Sequence, residues 1–212
     1  LHKEYRRQRQ MCIRDRLGVK IEEDKGYITC SCDKLSGADI LLDFPSVGAT
    51  ENIILASAKA EGTTVIRNAA KEPEIVDLQN FLNAMGGRVS GAGGGTVVVE
   101  GVERLHGIEY TPIKDRIEAG TFLIAAASCG GEIEIEGVPQ ENIAALLHKL
   151  RENGCKIHIK NDKITLRSSG RLVSADLIET TPFPGFPTDL QAQFSALACT
   201  TSGTTLVVEN LF

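Results

Sequence analysis

Asp189 has the sequence surroundings in which an acidic side chain does chemistry. It stands in Pro187-Thr188-Asp189-Leu190-Gln191-Ala192-Gln193-Phe194, after a loop spaced by Pro182, Pro184, Gly185 and Pro187. Proline fixes φ and glycine permits sharp reversals, so the loop presents the next residues in a set direction. The run from Leu190 to about Thr201 is amphipathic and predicts a helix, with Thr188 as its cap and Asp189 in its first turn. Aspartate is ionised at neutral pH, and a carboxylate held within hydrogen-bond reach of a hydroxyl can take its proton as a general base. The same residues also describe a capped surface helix with no chemistry.

Three further places hold groups that bind or react. Ser46-Val47-Gly48 leads from a strand into a helix, where backbone N–H groups converge on an anion. An ordinary strand-to-helix turn has the same pattern. Asp115 and Arg116 stand at another strand-to-helix junction and read, by themselves, as a surface ion pair and a helix start. Glu72 follows Lys71 ahead of a further helix. Gly91 to Gly95 is glycine-rich but joins two strands, which excludes a dinucleotide-binding loop. The six cysteines, at positions 12, 30, 32, 129, 155 and 199, form no CxxC pair and no cluster with histidine, so no metal site is expected. They read as reduced thiols, several of them buried, in a cytoplasmic protein.

The elements that must position these residues recur along the chain. A hairpin is predicted at 19–21 and 27–30, then a strand at 39–43. A helix capped by Ser46 or Thr50 follows, with Ile53, Ile54, Ala56 and Ala60 as apolar positions and Gly62 closing it. A strand at 63–67, a helix at 74–85 and a hairpin at 88–90 and 96–100 complete the unit. The order then repeats as helix 116–128, strand 132–136, helix 140–152 and hairpin 156–159 with 163–167. Gly62, Gly131 and Gly203 mark equivalent points, 69 and 72 residues apart. A third unit begins with the Asp189 helix and a strand at 204–208 and stops before its second helix and hairpin. This is an internal repeat of α/β units. It is truncated in mid-unit, which is expected to leave the last helix and strand short of neighbours.

The composition narrows the function classes. A net charge of −5 on 212 residues argues against nucleic acid as the main partner. No run approaches eighteen apolar residues, so no membrane span is expected. Residues 1–17 differ from the rest, with Lys3, Arg6, Arg7, Arg9, Arg14 and Arg16 against Glu4 and Asp15. They read as a non-native or disordered basic segment.

Four segments carry a family resemblance. Residues 186–194, Phe-Pro-Thr-Asp-Leu-Gln-Ala-Gln-Phe, resemble a signature of the UDP-N-acetylglucosamine enolpyruvyl transferases. Ser46-Val47-Gly48-Ala49-Thr50-Glu51-Asn52, Lys71-Glu72-Pro73-Glu74-Ile75-Val76-Asp77 and Asp115-Arg116-Ile117-Glu118-Ala119-Gly120-Thr121 resemble three others, in the family's order and at about its spacing. The resemblance covers roughly residues 18–212. It implies an α/β fold of two inside-out barrel domains, sheets outside and helices within, with residues 18–113 closing the first barrel and 114–212 opening an incomplete second. It implies transfer of the enolpyruvyl group of phosphoenolpyruvate to the 3-hydroxyl of UDP-N-acetylglucosamine, with release of phosphate and without a cofactor.

By that resemblance Asp189 is the base, Thr188 a nearby contact, and Ser46, Val47 and Gly48 contact the diphosphate. Asp115 and Arg116 line the cleft, Glu72 helps to close it, and Leu211 lies against the sugar nucleotide. Where this chain has Phe44, several such enzymes have Lys, which removes one positive contact. The family's acid is a cysteine on a mobile loop N-terminal to all of these segments, and none of the six cysteines matches it. The uridine-recognition loop, the arginines that hold phosphoenolpyruvate and a Lys-Asn pair are also unmatched, so the segment by itself is expected to be inactive. Two other readings stay open: the sister reaction on shikimate 3-phosphate, and a non-catalytic repeat scaffold that binds a partner through a barrel face.

Overall fold

The computed structural model describes residues 16–211. Residues 1–15, on which most of the unusual basic segment falls, lie outside the described residues. The chain divides into two compact units between Pro112 and Ile113.

The first unit begins with a hairpin, β1 (Lys20–Asp24) and β2 (Tyr27–Ser31), whose residues are almost all exposed. Its main sheet has the order β3-β4-β6-β5, from β3 (Asp39–Leu41), β4 (Thr63–Arg67), β5 (Arg88–Ser90) and β6 (Thr96–Glu100). β3 runs parallel to β4, whereas β6 is antiparallel to both β4 and β5. The strands alternate, as they must when only one face is covered. Ile40, Ile66, Val89, Val97 and Val99 are buried and their neighbours point outward. Helices α1 (Val47–Ser57) and α2 (Pro73–Ala84) supply Ile53, Ile54, Ile75 and Leu82 to the same core.

The second unit repeats this plan. β7 (Gly131–Glu136), β8 (Lys156–Lys160) and β9 (Lys163–Ser168) form a sheet of order β7-β9-β8, antiparallel throughout, matching β4-β6-β5 in order and sense. α3 (Arg116–Cys129) and α4 (Ala144–Glu152) supply Leu123, Ile124, Leu146, Leu147 and Leu150 to its core. A third partial copy follows. β10 (Leu177–Glu179) and β11 (Leu206–Val208) pair in parallel, as β3 and β4 do, and α5 (Gln191–Ala198) lies between them in sequence. Gly62, Gly131 and Gly203 all have positive φ, at 87°, 128° and 120°, a region that favours glycine. The equivalent glycines therefore share a positive φ at or shortly before β4, β7 and β11.

Several expectations are corrected. Residues 140–152 are not one helix. A 3₁₀ turn (Gln140–Ile143) comes first, closed by the Asn142 N–H on the Pro139 carbonyl, and α4 starts only at Ala144. The helix after Asp189 is likewise split into a 3₁₀ turn (Thr188–Leu190) and α5, which ends at Ala198. The last strand is three residues long because β10 offers it only three partners. The last helix is not bare: Leu190, Phe194 and Leu197 are fully buried in the core of the second unit, where the helix packs on α3. Among the described cysteines only Cys155 is buried, and burial pushes its thiol pKa up. Cys30 and Cys32 are exposed because the hairpin that ends there packs neither face.

Candidate active site

Ser46–Gly48, Asp115 and Arg116, and Thr188 and Asp189 occupy one recurring position in the repeat. Ser46, Asp115 and Pro187 are separated by the same 69 and 72 residues as the three glycines. Each stands at the N-cap of the element that follows it. Val47, Arg116 and Thr188 are therefore equivalent, as are Gly48, Ile117 and Asp189. The repeat builds three similar helix starts and furnishes each with different chemistry.

In the first unit, Ser46 is extended and its Oγ accepts from the Ala49 N–H at 3.4 Å, while its carbonyl accepts from the Thr50 N–H at 3.0 Å. The Val47 and Gly48 N–H groups precede any intrahelical acceptor, the condition for binding an anion. Thr50 does not cap the helix. Its buried hydroxyl donates to the Ser46 carbonyl at 2.9 Å and accepts from the Ala70 N–H at 3.0 Å, tying the helix start to the chain after β4. Glu72 is 7% exposed at the N-cap of α2. Burial first, and then the neighbouring Glu74 and Glu72 carboxylates, raise the pKa of Glu51, which stands one turn into α1. Ser46–Gly48 and Glu72 thus follow the carboxyl ends of the parallel pair β3 and β4, where ligands of parallel sheets commonly sit.

In the second unit, Asp115 Oδ1 accepts from the N–H groups of Ile117 (2.7 Å) and Glu118 (3.0 Å), the geometry of a helix cap. Arg116 is 7% exposed and lies over the Phe183 ring, 5.7 Å from its centroid, so it meets the proline loop ahead of Asp189. The expectation of a surface pair is corrected: Asp115 is a cap and Arg116 is buried.

Thr188 is not a helix cap, because Glu209 captures its hydroxyl. Thr188 Oγ1 donates to Glu209 Oε2 at 2.9 Å. Glu209 Oε1 accepts from Thr180 Oγ1 and from the Leu211 N–H, both at 2.7 Å. Hydrogen bonds to an ionised carboxylate are stronger than the neutral bond a cap would make. The Asn210 N–H donates to Thr180 Oγ1 at 3.0 Å, and the Asn210 amide donates to Glu179 at 2.8 Å. Thr188, Asp189 and Leu211 are thereby gathered beyond the carboxyl ends of β10 and β11. Asp189 itself is exposed, between the bonded Thr188 and the fully buried Leu190.

Sequence reasoning missed Glu209, Thr180 and Phe183. The repeat held the signal for Glu209. It lies the same interval beyond Asn68 as Gly203 lies beyond Gly62. The Asn68 amide ties β4 to the end of β3 through the Leu42 carbonyl at 2.9 Å, the same bracing role. Among the described residues no group of three or more His, Cys, Asp or Glu side chains is arranged to hold a metal, and no helix is long and apolar enough to cross a membrane.

Gly120 on α3 lets this turn approach. A Cβ there would stand 2.7 Å from Leu190 Cδ1 and 3.0 Å from Leu146 Cδ2. Gly120→Val is expected to cost roughly 1–3 kcal/mol by overpacking, read as a lower urea midpoint at unchanged slope. An unchanged midpoint would mean that Leu190 moves aside freely.

The family described as EPSP synthase (3-phosphoshikimate 1-carboxyvinyltransferase) matches residues 14–212. UDP-N-acetylglucosamine 1-carboxyvinyltransferase 2 of Caldanaerobacter subterraneus subsp. tengcongensis is 53% identical over 197 residues, 93% of this chain and 47% of its own length. UDP-N-acetylglucosamine 1-carboxyvinyltransferase 1 of Symbiobacterium thermophilum is 54% identical over 92% of this chain and 44% of its own length. The chain spans about half the length of the curated relatives it matches. Among solved structures, the enolpyruvyl transferase NikO from Streptomyces tendae superposes with a TM-score of 0.79 at 22% identity, over 95% of this chain and 51% of its own. EPSP synthase from Acinetobacter baumannii superposes with a TM-score of 0.62 at 21% identity, over 94% of this chain and 47% of its own. The fold is therefore that of the enolpyruvyl transferases, an α/β fold of repeated units.

Proposed function

Because the chain belongs to the EPSP synthase family, we propose that it is part of an enzyme that moves the enolpyruvyl group of phosphoenolpyruvate to the 3-hydroxyl of UDP-N-acetylglucosamine and releases phosphate. That reaction commits the sugar nucleotide to peptidoglycan synthesis in the cytoplasm. The nucleotide sugar is favoured over shikimate 3-phosphate by the identity of 53% and 54% to relatives named for it. The observation that carries the reading is the exposed Asp189, on a turn fixed at both neighbouring residues.

The chemistry follows from the proposed placement. The 3-hydroxyl oxygen bonds to C2 of phosphoenolpyruvate as Asp189 accepts its proton. A proton delivered to C3 by an acid from outside this segment balances the addition, and loss of phosphate from C2 together with a proton from the C3 methyl then restores the double bond. Ser46, Val47 and Gly48 receive the diphosphate on helix-start N–H groups. Leu211 packs against the sugar nucleotide, Thr188 adds a nearby contact, and Asp115, Arg116 and Glu72 are further substrate-binding residues. Residues 18–113 close the first barrel domain and 114–212 open the second.

A chain extended to the relatives' length tests this reading by phosphate release from phosphoenolpyruvate. Release with UDP-N-acetylglucosamine and none with shikimate 3-phosphate is expected; the reverse would overturn it. The diphosphate contact has its own test. Val47→Pro removes one helix-start N–H at the position where proline is best tolerated, and Ser46 is already extended, as a residue before proline prefers. Affinity for the sugar nucleotide is expected to fall about tenfold, the share of one charge-assisted hydrogen bond. Unchanged affinity in a folded variant would make this turn scaffold only.

A further inference from the structure

We propose that Glu209 is a positioning residue for the Asp189 base, an inference that rests on the base reading above. Its carboxylate is engaged at both oxygens, Oε2 by Thr188 and Oε1 by Thr180 and the Leu211 N–H. Three donors on two oxygens fix its orientation. Thr180 is fully buried just past β10 and bridges to Phe186 ahead of the turn, so the carboxylate is anchored to the core beside the turn. Pro187 opens the turn without a side-chain cap, and Thr188 is held by Glu209 instead. Leu190, on the other side of Asp189, is clamped in the core. Asp189 thus takes its direction from two neighbours, one fixed by packing and one by Glu209. The same carboxylate holds the backbone at Leu211, so a single group sets the spacing between the base and the proposed sugar contact.

A base displaced by about 1 Å loses on the order of 10²-fold in rate while substrates still bind. In the extended chain, Glu209→Ala is expected to lower kcat about 10- to 100-fold and to change KM for either substrate less than about threefold. Thr188→Val, which removes the Oε2 donor, should act in the same direction. The discriminating readout is a double-mutant cycle. If Glu209 acts through Asp189, then Glu209→Ala added to Asp189→Asn lowers kcat by less than about threefold more. Glu209→Gln keeps the shape and one acceptor oxygen, so it should recover part of the loss, and it serves for the cycle if the alanine variant does not fold.

A kcat within about threefold of the parent for Glu209→Ala, or losses that multiply in the double variant, would overturn the inference. The two readings fail separately. Normal turnover of Asp189→Asn alone overturns the base assignment, and Glu209's role falls with it. A deficient Asp189→Asn with a multiplicative Glu209 effect overturns only the positioning role.

Discussion

Asp189→Asn, in a chain extended to the relatives' length, is expected to lower turnover roughly 10²–10⁴-fold, with a smaller effect on nucleotide-sugar affinity. The substitution keeps the shape of the side chain and removes its capacity to take a proton. A sugar hydroxyl is far too weak an acid to ionise first, so its proton must leave as the C–O bond forms. A carboxylate is a weak base, which makes transfer nearly concurrent with attack and dependent on electrophilic activation elsewhere in the site. The substrate contacts proposed at Ser46–Gly48 and Leu211 do not involve this group, so binding should survive. Single-turnover rates with saturating substrates isolate the chemical step. A rate within about threefold of the parent would remove Asp189 as the required base and leave it a residue of a surface turn.

Phe194→Ala is expected to destabilise the second unit by about 3–5 kcal/mol, the usual cost of deleting a buried phenyl ring. Phe194 is fully buried and meets Phe186 edge-to-face, with ring centroids 5.5 Å apart and planes at 86°. That geometry adds to the value of the burial itself. Whole domains are stable by only about 5–15 kcal/mol, so this one ring decides whether the turn before α5 persists. The exposed pair of Arg67 and Asp39 in the first unit has good geometry, with Arg67 Nη2 2.9 Å from Asp39 Oδ2. Solvent screening makes its removal a small effect by comparison. Urea unfolding of the 212-residue chain checks the prediction. A loss below about 1 kcal/mol would mean that the core around α5 closes over the cavity.

The repeat was legible because each unit writes the same punctuation. Gly62, Gly131 and Gly203 need positive φ, and the alternation in Thr63–Arg67 and Thr96–Glu100 is that of sheets covered on one face. The strand ends were less legible: β3 stops at Leu41 ahead of Leu42, and β11 starts only at Leu206 after the β-branched Thr204 and Thr205, because each spans only the residues its partner pairs with. The helix starts were hidden too. The pattern around Leu190, Phe194 and Leu197 is the same whether the first turn is α or 3₁₀, and only the local backbone distinguishes them. Threonine before a helix is usually a cap, and Thr188 fits that local pattern. Glu209, twenty-one residues on in the chain, outcompetes that local bond, and such a partner has no signature within a short window. Arg116 departs from its local pattern for a similar reason: arginine favours the surface, but the Phe183 ring receives it in the interior.

The most direct test of the central claim is a crystal structure of the extended chain with UDP-N-acetylglucosamine and an unreactive analogue of phosphoenolpyruvate. The account predicts a sugar 3-hydroxyl oxygen within about 3.2 Å of an Asp189 carboxylate oxygen, with Thr188 still on Glu209. An ordered sugar whose 3-hydroxyl lies more than about 5 Å from Asp189, beyond direct proton transfer, would contradict it.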